Sequence, residues 1–254
     1  MIRKINAIVT GGSSGLGEAT VRKILERGGS VSIFDTQEDK AKVLSEEFGE
    51  NCTFFYTDVT NEESINEALT STISKYQYIN LLVNCAGIGI ANKVIGKEEL
   101  HDSNIFQKVI NVNLVGTFNV LKLVAEKMIE NQPDEDNFRG VIINTASIAA
   151  YDGQIGQAAY SASKGAIVSL TLPLAREFAR YGVRVCTIAP GLFETPMMSG
   201  LPEKAYQALV DSTLFPKRLG HPNEFAKLVV SIFENNMLNG EVIRLDGSLR
   251  MSPK

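Results

Sequence analysis

Ser147, Tyr160 and Lys164 have the types and spacing for proton transfer to or from an alcohol. Tyr160 and Lys164 stand four residues apart at the start of a helical pattern, which puts them on one helix face. A phenol is a poor base at neutral pH, with an ordinary pKa of about 10. A neighbouring ammonium favours the phenolate and lowers that value. A phenol tuned in this way takes the proton of a hydroxyl group as hydride departs, and returns it when the reaction runs backwards. Ser147, at the end of an apolar strand run, is placed to hold the reacting oxygen by a neutral hydrogen bond. Asn113, in the long helical pattern before it, is expected to fix a water that relays the proton to solvent. A tyrosine and a lysine four apart also occur by chance on ordinary exposed helices, so this pair gains its weight from what lies upstream.

Upstream, Thr10-Gly11-Gly12-Ser13-Ser14-Gly15-Leu16-Gly17 follows one strand pattern and opens the first helix. Gly11, Gly15 and Gly17 allow a tight turn and close backbone approach to a ligand. The helix that begins there directs its free N–H groups and positive dipole end at a phosphate. The competing reading is a Gly/Ser-rich turn that only caps a helix; the strand before and the helix after favour the pyrophosphate site. Asp35 closes the second strand pattern, where an acidic residue accepts hydrogen bonds from adenosine ribose and repels a 2′-phosphate. Ser13, Ser14 and Thr36 supply no compensating cation, which predicts NAD rather than NADP. Asp58 and Val59 end the third strand pattern at the same edge; Asp58 reads equally as an adenine contact or as a cap for the next helix.

Seven apolar runs, at 5–10, 30–35, 53–59, 80–86, 140–146, 183–189 and 241–245, alternate with helical patterns near 16–27, 37–48, 61–75, 104–130, 160–180 and 222–235. Several runs are rich in Val, Ile or Phe without strict alternation, as in strands covered on both faces. Such alternation implies one α/β domain over 1–254: a Rossmann-type, doubly wound, parallel seven-stranded sheet. Three segments read as irregular: 88–103, the polar 131–139, and 191–222, the last expected to act as a lid over the substrate. Pro173 is expected to bend the helix around it.

With 254 residues and 44% apolar composition, the chain can bury a large core unaided. A net charge of −4 argues against nucleic-acid binding by bulk electrostatics. Three cysteines without paired spacing indicate reduced thiols. Two distant histidines make a metal site or a histidine triad unexpected. No continuous apolar run approaches a membrane span, and the start of the sequence reads as a strand rather than a leader, so a cytoplasmic location is expected, or a mitochondrial one in an animal.

Taken together, Thr10–Gly17, Asn84-Cys85-Ala86-Gly87, Asn111-Val112-Asn113, Ser147, Tyr160–Lys164 and Pro190-Gly191 resemble, in order and spacing, the short-chain dehydrogenase/reductase family. The stretches 139–147, 156–164, 187–196 and 239–247 are further similar to its branch of type 2 3-hydroxyacyl-CoA dehydrogenases. That resemblance implies NAD-dependent interconversion of 3-hydroxyacyl-CoA and 3-oxoacyl-CoA, breadth toward steroids and other alcohols, and a homotetramer. It also implies a catalytic set of Asn113, Ser147, Tyr160 and Lys164, and pyrophosphate contacts at Ser14 and Leu16. Adenosine contacts would fall at Asp35, Asp58, Val59 and the backbone of Cys85, beside Ala86 and Gly87. Phe193 and Thr195 would border the nicotinamide, and Lys164 would also bind its ribose. Gln157 is a candidate for the substrate pocket, with a surface loop as the even alternative. Lys93 and Lys97 are candidate partners of a CoA phosphate, although solvated loop lysines are the more economical reading. The competing functions are a 3-oxoacyl-carrier-protein reductase, which Asp35 disfavours, and a non-catalytic nucleotide-binding scaffold, which would not need a matched Ser, Tyr and Lys.

Overall fold

The structure, a computed structural model, describes residues 3–196, 198 and 203–253. Its strands are β1 (Asn6–Thr10), β2 (Ser30–Asp35), β3 (Cys52–Tyr56), β4 (Leu81–Asn84), β5 (Gly140–Thr145), β6 (Val183–Pro190) and β7 (Val242–Leu245). All pair in parallel, in the order β3-β2-β1-β4-β5-β6-β7. The helices are α1 (Gly15–Glu26), α2 (Glu38–Phe48), α3 (Glu62–Tyr76), α4 (Ser103–Ile110), α5 (Thr117–Ile129), α6 (Ala158–Ala179), α7 (Glu203–Ser212) and α8 (Pro222–Glu234). This is the doubly wound, Rossmann-like single domain with the seven strands expected. The winding reverses at β1, which lies beside β4, and a ligand crevice opens above the carboxyl ends of these two strands.

The apolar runs lack alternation because both sheet faces are covered. Ala7, Val9, Ile33, Leu81, Val83 and Ile143 meet Val21 and Ile24 of α1, Leu44 of α2 and Phe225, Val229 and Phe233 of α8. Ile8, Phe34, Leu82 and Ile142 meet Ile65 and Leu69 of α3, Val120 and Val124 of α5 and Leu174 of α6. Burial of these side chains contributes roughly 1.5–3 kcal/mol each, which holds the strand ends in fixed register beneath the site.

Three departures from the sequence reading bear on function. The helix expected over 104–130 is α4 and α5 joined by a π-helical turn, Asn111–Gly116. A Cβ on Gly116 would stand 2.6 Å from a Val59 methyl, so its glycine lets this turn lie against the segment after β3. The combined helix, Ser103–Ile129, is long and apolar enough to cross a membrane by length and composition, although polar residues break every continuous apolar run. Half of its most apolar stretch is buried within the fold, where α5 covers β4, β5 and β6. Second, α7 forms inside the segment read as irregular, with Tyr206, Leu209 and Val210 half-buried on one face. Third, β3 ends at Tyr56 and β4 at Asn84, two or three residues earlier than expected, so Asp58, Val59, Cys85 and Ala86 lie in the turns at the crevice. Pro173 lies within α6, as the pattern over 160–180 implies, and the helix runs on for six residues past it with one hydrogen bond fewer.

Candidate active site

The glycine turn is shaped by contacts that leave no room for side chains. Gly11 and Gly15 have positive φ, at 63° and 55°, and Gly11 N–H donates to the Phe34 carbonyl at 2.9 Å. A Cβ on Gly11 would stand 2.8 Å from the Ala86 nitrogen, and one on Gly17 only 2.1 Å from the Gly11 carbonyl oxygen. Ser14, in extended conformation, is the N-cap of α1, and Glu18 N–H donates to its carbonyl at 3.1 Å. The N–H groups of Gly15, Leu16 and Gly17 precede that first helical bond and lie where an anion binds. Leu16 also packs its side chain on the core, which anchors the turn. A Cβ on Gly15 would stand 3.4 Å from the Thr195 side chain, so the segment after Pro190-Gly191 lies over the turn.

Asp35 ends β2 and is only 7% exposed. Its Oδ2 accepts from Ser13 N–H at 3.0 Å and from the Ser13 hydroxyl, and its Oδ1 accepts from Gln37 N–H at 3.0 Å. The carboxylate therefore faces the turn with three donors already on it. Asp58 does not cap α3. Asn61 does, accepting from Glu63 and Ser64 N–H, while Asp58 Oδ1 accepts from Thr60 N–H and hydroxyl at 2.9 and 2.8 Å. Val59 is buried against the π-helical turn. These features fit a dinucleotide: glycine-lined space over a helix start, with a buried aspartate at the neighbouring strand end.

Opposite, Ser147 directly follows the β5–Ala146 segment and caps the 3-10 turn Ile148–Ala150 through its hydroxyl, which accepts from Ala149 N–H at 3.1 Å. Tyr160 lies in the first turn of α6, with its phenol beside the Ser147 side chain. Lys164, one turn further, is 6% exposed; its ammonium donates to the Thr145 carbonyl at 2.8 Å and lies 5.8 Å from the Tyr160 ring centre. A Cβ on Gly87 would come within 3.6 Å of Lys164 Nζ, so the glycine after Ala86 keeps space open in front of the ammonium.

The expected depression of the tyrosine pKa is not what the chain alone produces. Burial pushes the Tyr160 phenol above its ordinary value, and the neighbouring Ser147 side chain pulls it only part of the way back. Burial pushes Lys164 down to about 8. The ammonium bonds a carbonyl rather than the phenol oxygen, so desolvation outweighs the cation.

Asn113 is fully buried, but its amide is already engaged. Oδ1 accepts from Ile88 N–H at 2.8 Å, while Nδ2 donates to the Ile88 carbonyl at 2.9 Å and the Ser163 hydroxyl at 3.1 Å. That hydroxyl donates to the Tyr160 carbonyl at 2.7 Å. The side chain thus ties the loop after β4 to the start of α6. The Cys85 N–H is likewise committed, to the Thr10 carbonyl and hydroxyl at 3.1 Å, and Ala86 N–H donates to the same hydroxyl. Burial pushes the Cys85 thiol up to about 11, which keeps it protonated. The Phe193 ring is buried in the core, so any cofactor contact there falls to its backbone. Gln157 spends its amide on Gln154 at 3.3 and 3.4 Å, and Lys93 and Lys97 are exposed loop residues. Sequence reasoning passed over Thr10, Ser13, Thr145 and Ser163, whose roles come from partners distant in sequence.

The model of the short chain dehydrogenase family matches residues 5–205. The 3-hydroxyacyl-CoA dehydrogenase type-2 of Drosophila melanogaster is 51% identical over the whole of both chains. The human protein of that name is 50% identical, covering 99% of this chain and 97% of its own. The crystal structure of 3-hydroxyacyl-CoA dehydrogenase type-2 from Mycobacterium avium superposes with a TM-score of 0.96 at 40% identity, covering both chains in full. With the glycine turn, the strand-end acid and the Ser147–Tyr160–Lys164 cluster brought to one crevice, these likenesses establish that the chain belongs to the short-chain dehydrogenase family: it is an oxidoreductase that works on a small-molecule substrate with a nicotinamide cofactor.

Proposed function

We propose that this enzyme interconverts 3-hydroxyacyl-CoA and 3-oxoacyl-CoA with NAD, with breadth toward other secondary alcohols, steroids included. The observation that carries the chemistry is the placement of the Tyr160 phenol beside the Ser147 side chain, with the buried Lys164 ammonium behind it. The substrate class is supported by the relatives of that name, about half identical along their full length. A 3-oxoacyl-carrier-protein reductase has weaker support: the relatives so named, from Thermotoga maritima and Vibrio harveyi, are 35% and 34% identical. A non-catalytic scaffold has no use for this cluster.

The start of α1, at Ser14 and Leu16, would hold the pyrophosphate, and Asp35 the adenosine ribose, with Asp58 and Val59 towards the adenine. Lys164 and Tyr160 would meet the nicotinamide ribose, and Thr195 and the Phe193 backbone the ring. The bound nicotinamide supplies the hydride acceptor or donor. Ser147 holds the substrate oxygen. Tyr160, protonated at neutral pH because burial raises its pKa, gives its proton to that oxygen in the reductive direction and takes it back in the oxidative one. In the chain itself, then, the reductive direction is the one poised at neutral pH, and oxidation gains as pH rises.

The test is Tyr160→Phe, assayed by NADH consumption with acetoacetyl-CoA and by NADH fluorescence titration. The expected result is a loss of about 10²- to 10⁴-fold in kcat with cofactor binding retained; a wild-type rate refutes the assignment. We also propose a homotetramer. Phe118 and Leu172, exposed on the outer faces of α5 and α6, offer apolar surface to a second copy, and light scattering showing only monomer removes the proposal.

A further inference from the structure

The chain from Ser147 to Tyr160 joins two of the proposed catalytic groups, yet beyond the turn Ile148–Ala150 and the first residues of α6 it has no regular structure of its own. It is held from outside. Arg244, on β7, donates through Nη2 to Asp152 Oδ2 at 2.6 Å and to the Leu249 carbonyl at 3.0 Å, and through Nε to Asp246 Oδ2 at 2.7 Å. The same guanidinium lies 5.1 Å from the Tyr151 ring centre. The Arg244 and Asp152 side chains are only 21% and 18% exposed. The C-terminal residues add two hydrogen bonds to this segment: Gln154 Nε2 donates to the Ser252 carbonyl at 3.0 Å, and Ile155 N–H to the Pro253 carbonyl at 3.1 Å. On the other side Asn92 N–H donates to the Gly156 carbonyl at 2.8 Å. Asp246 also backs the Pro190-Gly191 turn, since a Cβ on Gly191 would stand 2.9 Å from its Cα and Cβ.

We propose that Arg244 is a positioning residue for the reaction, fixing the Ser147–Tyr160 connection to the end of β7 through Asp152. This rests on the reading of Ser147 and Tyr160 as catalytic. A planar guanidinium meets two carboxylates and a carbonyl at once, which a single ammonium cannot reproduce. Asp152 is held below the usual carboxylate range chiefly by its hydrogen bond from Arg244, so the pair stays ionised at neutral pH. Keeping the Ser147 hydroxyl beside the Tyr160 phenol needs both ends of the connection in register, and a displacement of about 1 Å at a reacting group can cost about 10²-fold in rate.

The experiment compares Arg244→Gln, Arg244→Lys, Asp152→Asn and the Arg244→Gln/Asp152→Asn double variant in the full-length enzyme. The readouts are acetoacetyl-CoA reduction, NADH affinity by fluorescence, and thermal unfolding. The proposal expects Arg244→Gln and Asp152→Asn each to lose about 10- to 100-fold in kcat, with NADH affinity within about twofold. The double variant falls no lower than the worse single one, and Arg244→Lys recovers only part of the loss. If Arg244→Gln does not fold, Asp152→Asn decides alone, because Arg244 keeps Asp246. A folded Asp152→Asn or Arg244→Gln with wild-type kcat overturns the proposal, as does a loss of rate matched by an equal loss of NADH affinity. Tyr160→Phe separates the two readings: full activity there removes the catalytic assignment itself, whereas an inactive Tyr160→Phe beside an unaffected Arg244→Gln removes only the clamp.

Discussion

Replacing Lys164 by methionine tests whether the cation behind the tyrosine is kept at the expense of the fold. Burial brings its ammonium from an ordinary value of about 10.4 down to about 8. That difference of roughly 2.4 pH units makes the charged form about 3 kcal/mol less favourable in the folded chain than in the unfolded one. Below about pH 8 both states carry the proton, and the folded state bears the whole penalty. Between about 8 and 10.4 the folded chain has shed a proton that the unfolded chain still binds, so stability rises with pH. Methionine removes this dependence. It also leaves the Thr145 carbonyl without the ammonium that donates to it, a loss of roughly 1–3 kcal/mol that is the same at every pH. Wild type should therefore gain about 2 kcal/mol on Lys164→Met between about pH 6.5 and 9.5, read from urea unfolding of both proteins at each pH. A wild-type-minus-variant difference that stays constant within about 0.5 kcal/mol refutes the reasoning. The variant should at the same time lose reductase activity.

Two further substitutions test the cofactor site. Gly17→Ala would drive a methyl to 2.1 Å from the Gly11 carbonyl oxygen, so the turn must shift. Stability should fall by roughly 1–3 kcal/mol and NADH affinity by about tenfold or more, and an unchanged fluorescence titration contradicts this. Asp35→Ser removes the charge opposed to a 2′-phosphate, an interaction of about 1–4 kcal/mol at 4 Å separation. The ratio of kcat/KM for NADPH over NADH should rise at least fivefold or so, and a ratio that does not move rejects Asp35 as the discriminator.

The fold was legible because burial on two faces leaves a strong trace: short runs of Val, Ile and Leu separated by amphipathic stretches. The glycine turn and the Tyr160–Lys164 pair were legible because each is local, set within eight residues or fewer. What escaped was long-range or uneven in period. Lys164 finds its acceptor at Thr145, and Asn113 finds Ser163 fifty residues away; neither spacing has a sequence signature. The π-helical turn hides within a continuous helical pattern, because one extra residue in a turn shifts the apolar period too little to see. Helix α7 has apolar positions at 206, 209 and 210, a single stripe too short to stand out in a Gly- and Pro-rich stretch. For the Tyr160 pKa, a neighbouring cation can be read from spacing, whereas the desolvation that raises the phenol in the chain alone can only be seen once the helix is packed.

The Asp35 carboxylate, bonded to the Ser13 backbone and hydroxyl, makes the sugar end and the phosphate end of the cofactor grip one mechanical unit. A change of coenzyme preference at position 35 alone would slacken the turn that cradles the phosphates. An exchange that keeps affinity would have to alter residues 13 and 35 together, with a new donor and acceptor matched across the same gap.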